Sequence, residues 1–260
     1  MRRASALLLA SSSVVSSLSG VSGRAAAPTI VEGLKEIAGN YDAFLLDQFG
    51  VLHDGATAIP DAIKCFDELA ASDKKLIVLS NTSRRRGFAI QKFPKLGFDE
   101  DKLTGFLTSG EAAWQELFEK RMGQRMLHIS WTEDWFAWDP TYFDGLDVTL
   151  APVDDADFIF LQGSMCIRDG RGAVDAGVIH TGMLSAALED TLRLAAARGL
   201  PMICANPDFQ VTLPSGKVGY MPGVIASAYE ALGGSVSYFG KPHAPAYAEA
   251  LRLLGPEVPR

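Results

Sequence analysis

The chain has 260 residues, 48% of them hydrophobic and 21% charged, with a formal net charge of -7. That length and apolar content can fill one large or two modest cores. The acidic balance disfavours nucleic acid or an anionic membrane surface as a partner, so a small substrate fits better, and a homo-oligomer is left open.

Residues 1–27 carry Arg2, Arg3 and Arg24 as their only charges and are rich in serine; the first acidic residue is Glu32. The segment reads as a targeting peptide or disordered tail. Its composition points to an organellar (mitochondrion or plastid) transit peptide, with a secretory signal or a cytoplasmic chain as alternatives. No other segment approaches the roughly 18 apolar residues of a membrane span.

From Thr29 onward, short apolar runs alternate with stretches of helical period, the pattern of an α/β protein with a parallel sheet. Ala43 to Leu46 reads as a buried strand ending at Asp47, Pro60 to Ala71 as a helix, and Lys75 to Leu79 as a second strand ending at Ser80-Asn81-Thr82. A helix is expected over Arg84 to Phe93, a third strand over Gly105 to Thr108 and a helix over Gly110 to Arg121. Strands are then expected at Arg125 to Ile129, Phe158 to Leu161 and Pro201 to Ala205, with a helix at Leu188 to Arg198 before the last of them. A turn at Pro214-Ser215-Gly216, a helix near Val224 to Leu232 and a short run ending at Gly240-Lys241-Pro242 complete the order. Three widely spaced cysteines, Cys65, Cys166 and Cys204, suggest neither a zinc site nor a disulfide, and a reducing compartment is the natural reading.

Three segments carry chemistry. Asp47 ends a buried strand beside glycines that let the chain turn, where it serves as a nucleophile, a metal ligand or a loop cap. Ser80, Asn81 and Thr82 bring hydroxyl and amide groups to the same sheet edge, either to hold phosphate oxygens or to cap the next helix. Lys241, set by Pro242 at the start of a helix, neutralises charge between a phosphate and a carboxylate or is an ordinary surface lysine.

Asp47, Leu76-Ile77-Val78-Leu79-Ser80-Asn81 and Gly240-Lys241-Pro242 in this order resemble the haloacid dehalogenase superfamily. Thr108 to Ala112, Ala205 to Asp208 and Met221 to Gly223 are similar to its class IIA nitrophenylphosphatase-like branch. The resemblance implies a Rossmann-like parallel-sheet core (28–123 and 209–260) and an inserted α/β cap (124–208). It implies a magnesium-dependent phosphatase acting on a small phosphorylated metabolite through an aspartyl-phosphate on Asp47. Ser80, Asn81 and Thr82 would bind phosphate and Lys241 would clamp charge. Asp47 and the backbone carbonyl of Phe49 would hold Mg²⁺. Asn206 and Asp208, at the end of an expected cap strand, either face the substrate cleft or form the turn around Pro207.

Two departures qualify this. Phe49 stands where that family's phosphatases carry a second aspartate, and a phenyl ring transfers no proton; losing general acid–base catalysis costs roughly 10²–10⁴-fold. His53 is a substitute acid or, more simply, a loop hydrogen-bonder. The family's acidic fourth motif, with the last core strands, is expected beyond Arg260. The sequence reading is therefore of a truncated, poorly stable and inactive form, with an exposed apolar edge at Ala43 to Leu46. The alternative is a non-catalytic relative that binds a phosphorylated ligand or partner. The aromatics Trp131, Trp135, Phe136 and Trp138 are expected to pack as a cap core rather than form a stacking surface.

Overall fold

The computed structural model describes residues 30–135, 137–213 and 215–256. The segment read as a targeting peptide, Phe136 and Pro214 lie outside them. No described helix is long and apolar enough to cross a membrane.

The strands are β1 (Ala43–Leu46), β2 (Lys75–Ser80), β3 (Gly105–Thr108), β4 (Gln124–Ser130), β5 (Val148–Leu150), β6 (Phe158–Leu161), β7 (Cys166–Arg168), β8 (Ala173–Asp175), β9 (Pro201–Cys204), β10 (Gln210–Thr212), β11 (Val218–Tyr220) and β12 (Ser235–Tyr238). The helices are α1 (Ala62–Ala71), α2 (Arg86–Ala89), α3 (Lys92–Lys95), α4 (Ser109–Lys120), α5 (Val178–Thr181), α6 (Ala186–Ala197), α7 (Pro222–Ala231) and α8 (Ala244–Leu254).

A smaller parallel sheet has the order β1-β2-β3. Its centre is β2, because Leu76, Ile77 and Val78 are wholly buried and need cover on both faces. One face takes α1, whose Phe66 and Leu69 point into an aromatic cluster with Phe93, Phe98 and Phe106. The other takes α8 through Ala250, Leu253 and Leu254. Among the described residues β1 pairs with β2 alone, so it is an edge, and Leu45 is 39% exposed.

The larger sheet runs β12-β9-β6-β4-β7-β8, with β5 alongside the first residues of β4. The strands β12, β9, β6, β4 and β5 are parallel and β7 and β8 antiparallel to their neighbours. Phe158 to Leu161 is fully buried, as a continuous apolar run at a sheet centre should be. Helices α6 and α7 cover one face through Leu188, Leu192, Ile225 and Tyr229. Helix α4 covers the other through Ala113 and Leu117 against Phe158 and Phe160. A small antiparallel hairpin, β10-β11, stands apart.

Two expectations differ from this arrangement. The cap expected over 124–208 is part of a longer unit, because β12 pairs along its length with β9 and α4 already packs on this sheet. The run at 235–238 lies parallel to β9, reached through the β10-β11 hairpin and α7. The helix expected over 84–93 is two short turns, α2 and α3, broken between Ala89 and Lys92, with Pro94 inside the second, where it has no N–H to carry one continuous helix.

Candidate active site

Asp47 follows β1 and Lys241 follows β12, and the two meet: Lys241 Nζ lies 2.7 Å from Asp47 Oδ1. The same oxygen accepts the Gln48 N–H at 2.8 Å. The Asp47 side chain is 46% exposed, so its carboxylate is open to a ligand while Lys241 is more enclosed. Behind it the loop is tightly wound: the Gln48 carbonyl accepts the N–H groups of Val51, Leu52 and His53.

Asn81 joins the two sheets. Its Nδ2 donates to Asp208 Oδ1 and to the Lys241 carbonyl, each at 2.8 Å, and its Oδ1 accepts the Lys241 N–H at 2.7 Å. Gly240, at a φ of +118°, makes this approach feasible: a Cβ there would stand 2.6 Å from Asn81 Oδ1. The Asn81 amide is thus occupied by protein, and it positions Lys241 and Asp208. Burial pushes the Asp208 carboxyl up, and the charge of Asp47 adds to this against the pull of Asn81 and Lys241. Asn206 is buried, and its Oδ1 accepts the Asp208 N–H at 3.0 Å, shaping the turn at Pro207.

Ser80 is buried, and its Oγ accepts the Thr82 N–H at 3.3 Å. Thr82 Oγ1 accepts from Arg84 Nε at 3.3 Å, and the Thr82 carbonyl takes Ser109 Oγ and Gly110 N, both at 3.0 Å. These residues do not cap α2. Its free N–H groups go to carboxylates from elsewhere, Arg85 N to Asp139 Oδ2 and Arg86 N to Glu111 Oε2.

Phe49 is 38% exposed, stands edge-on to His53 at 6.2 Å and lies against Gly55. His53 is buried, and its Nδ1 accepts the Gly55 N–H at 3.0 Å, which leaves the proton on Nε2. Burial and the Lys92 charge lower its pKa, so it is neutral near pH 7 and acts as the loop hydrogen-bonder.

Sequence reasoning passed over a buried network behind Ser83. Its hydroxyl accepts from Trp131 Nε1 at 2.9 Å, and its carbonyl accepts from Gln162 Nε2 at 3.1 Å. Gln162 Oε1 therefore accepts from His128 Nε2, at 3.0 Å. Trp131 packs with Ala137, Trp135 and Trp138 as a core. The signal for this network, polar residues inside otherwise apolar strand ends, is weak in a single sequence. A stronger one was the run Arg84-Arg85-Arg86, which places three cations directly beyond the phosphate-loop candidates.

Among the described residues no three His, Cys, Asp or Glu side chains gather to cage a metal. One carboxylate, Asp47, and the nearby Phe49 carbonyl remain, a set compatible with Mg²⁺, which commonly takes one or two carboxylates and completes its shell with water and phosphate oxygens.

Residues 44–136 match the family described as haloacid dehalogenase-like hydrolase. Among solved structures, a haloacid dehalogenase-like family hydrolase from Brucella suis 1330 is 28% identical, with a TM-score of 0.68 over 85% of this chain and 74% of that one. A p-nitrophenyl phosphatase from Archaeoglobus fulgidus is 22% identical, with a TM-score of 0.58 over 83% and 74%. A glycerol phosphate phosphatase from Mycobacterium tuberculosis, solved with magnesium, is 19% identical, with a TM-score of 0.54 over 83% and 60%. No curated protein matches the chain. By sequence over residues 44–136, and by fold over most of its length, the chain is similar to the haloacid dehalogenase-like hydrolases.

Proposed function

We propose that the protein is a phosphohydrolase for a small phosphorylated metabolite, working through Asp47. The observation that carries this reading is the Lys241–Asp47 pair, in which residues from two sheets converge at 2.7 Å on an exposed carboxylate. A carboxylate nucleophile meeting a phosphate dianion needs nearby positive charge, and Lys241 supplies it. An Asp47 oxygen attacks phosphorus, the ester P–O bond breaks, and the phosphoryl group rests on Asp47 until water releases inorganic phosphate and restores the carboxylate. Ser80 Oγ and the backbone N–H groups around Asn81 and Thr82 bind phosphate oxygens, while the Asn81 side chain holds Lys241 in place. Mg²⁺ bound through the Asp47 carboxylate and the Phe49 carbonyl would supply charge neutralisation at the phosphate.

Phe49 gives no proton to the leaving oxygen, so esters of acidic alcohols and phenols are turned over in preference to alkyl esters. The same residue favours a second reading, a phosphate-ligand binder without turnover. A magnesium-dependent assay over p-nitrophenyl phosphate and a panel of small phosphate esters, run beside Asp47→Asn, separates the two. Release of phosphate that Asp47→Asn reduces to background supports the enzyme. Ester binding that persists in Asp47→Asn, with no phosphate release by either protein, supports the binder and refutes the enzyme.

A further inference from the structure

We propose that Gln162, from the larger sheet, is the positioning residue for the phosphate loop that follows β2: it holds the Ser83 carbonyl and so fixes the face that residues 81–84 present to a phosphate. This rests on the reading of Ser80, Asn81 and Thr82 as phosphate binders.

The larger sheet reverses its order at β4. The chain leaves β4 for β5 on one side, crosses to β6 on the other and, among the parallel strands, goes on to β9 and β12. In an open parallel sheet the carboxyl ends of the strands at such a reversal frame a crevice that receives ligands. Here those ends are followed by Trp131 and Gln162, and both reach the same residue of the β2 loop. Trp131 Nε1 donates to Ser83 Oγ at 2.9 Å, and Gln162 Nε2 donates to the Ser83 carbonyl at 3.1 Å. The loop itself fills the crevice, and Ser83 is buried there.

A buried carbonyl without a donor is costly, so its partner decides how each peptide of the loop is turned. The Thr82 carbonyl takes Ser109 Oγ and Gly110 N, the Ser83 carbonyl takes Gln162, and the Arg84 carbonyl takes Thr108 Oγ1 at 2.9 Å. In a trans peptide the N–H points opposite to the C=O. The N–H groups of Ser83 and Arg84 belong to the first two of these peptides and are therefore turned away from the anchors. Among the described residues neither has a partner. Successive N–H groups left open in this way make a concavity for anions. Two residues before Ser83, Asn81 brackets Lys241, whose Nζ lies 2.7 Å from Asp47, so a rotation of the loop reaches the countercharge as well.

Gln162 is itself held in one orientation. It is buried directly after the apolar run Phe158 to Leu161, where both ends of an amide need partners. His128 Nε2 donates to Gln162 Oε1 at 3.0 Å, which leaves the NH₂ end for Ser83. The His128 ring is fixed in turn by stacking on Phe160. Gly163 lets this strand end close on its neighbour, since a Cβ there would stand 2.3 Å from Trp131 N. The other carbonyl anchors, Thr108, Ser109 and Gly110, come from the strand and helix that follow the loop; Gln162 ties it to the centre of the larger sheet.

The test compares three forms of the whole chain, native, Gln162→Met and Leu192→Ala, each well below its melting temperature. Methionine keeps the length of Gln162 and removes the donor. Leu192, buried where α6 packs on the larger sheet, gives a control that loosens the same sheet away from the loop. Calorimetric titration with inorganic phosphate and Mg²⁺ should show equal binding by the native chain and Leu192→Ala, and binding about tenfold or more weaker by Gln162→Met. At equal phosphate occupancy, the Ser83 and Arg84 amide signals of ¹⁵N-labelled protein should shift in the first two and stay in place in Gln162→Met. If Gln162→Met loses no more affinity than Leu192→Ala, or loses affinity with those amide shifts preserved, Gln162 only fills the core; the proposal is overturned and the phosphate loop stands. If phosphate does not bind the native chain, the reading of Ser80, Asn81 and Thr82 is itself wrong and the proposal falls with it.

Discussion

Acidification should loosen this protein through His128. The ring is fully buried, stacks on Phe160 at 5.4 Å and donates to Gln162, and burial lowers its pKa from 6.5 to about 3. Between those values the unfolded chain holds a proton that the native chain refuses, so stability is present in full above about pH 6.5 and falls as pH falls below it. At pH 5.0 the loss is about 1.5 × 1.36, or about 2 kcal/mol, which lowers the melting temperature by about 4–8 °C in a chain of this size. The control is His128→Gln, which keeps a neutral group near Gln162 and cannot titrate. It should cost a fixed amount at every pH through lost ring packing, and it should melt with a flatter acid dependence than wild type. Thermal melts of both proteins at pH 7.5 and 5.0 provide the comparison. Equal pH dependence in the two would mean that His128 titrates normally and that its burial has been misjudged.

Gly110 stands where a Cβ would lie 2.3 Å from the Ser83 carbonyl carbon. Gly110→Ala should therefore cost about 3 kcal/mol, read from urea denaturation, by pushing α4 off the loop that carries Asn81. Phe93, wholly buried among Phe66, Phe98 and Phe106 with ring centroids 4.8–5.9 Å apart, should cost about 3–5 kcal/mol on replacement by alanine. A loss under 1 kcal/mol in the same titration would mean the cluster repacks.

What the sequence revealed depended on whether local pattern or distant pairing decided the outcome. Leu76 to Leu79 and Phe158 to Leu161 are so uniformly apolar that only a buried strand accommodates them, and both lie where expected. Ser235 to Tyr238 alternates polar with apolar, and nothing within it says which sheet it joins; that is set by Met202, Ile203 and Cys204 on β9. The start of α2 is set by Asp139 and Glu111, tens of residues away, which accept the backbone N–H groups of Arg85 and Arg86. At the site, Asp47 and Lys241 were legible as chemistry because strand-end position and Pro242 mark them. Asn81 was legible as polar and important, but its use as a bracket between sheets is a property of three partners, two of them about 160 positions later.

The nucleophile candidate and its countercharge hang from different sheets, Asp47 from the smaller and Lys241 from the end of the larger. A chimaera that swapped the larger sheet for a relative's would replace the lysine along with the wall around it. Directed changes meant to retune substrate choice there would shift the charge at Asp47 as well. In this architecture the wall around Lys241 and the charge beside Asp47 are inherited as one block.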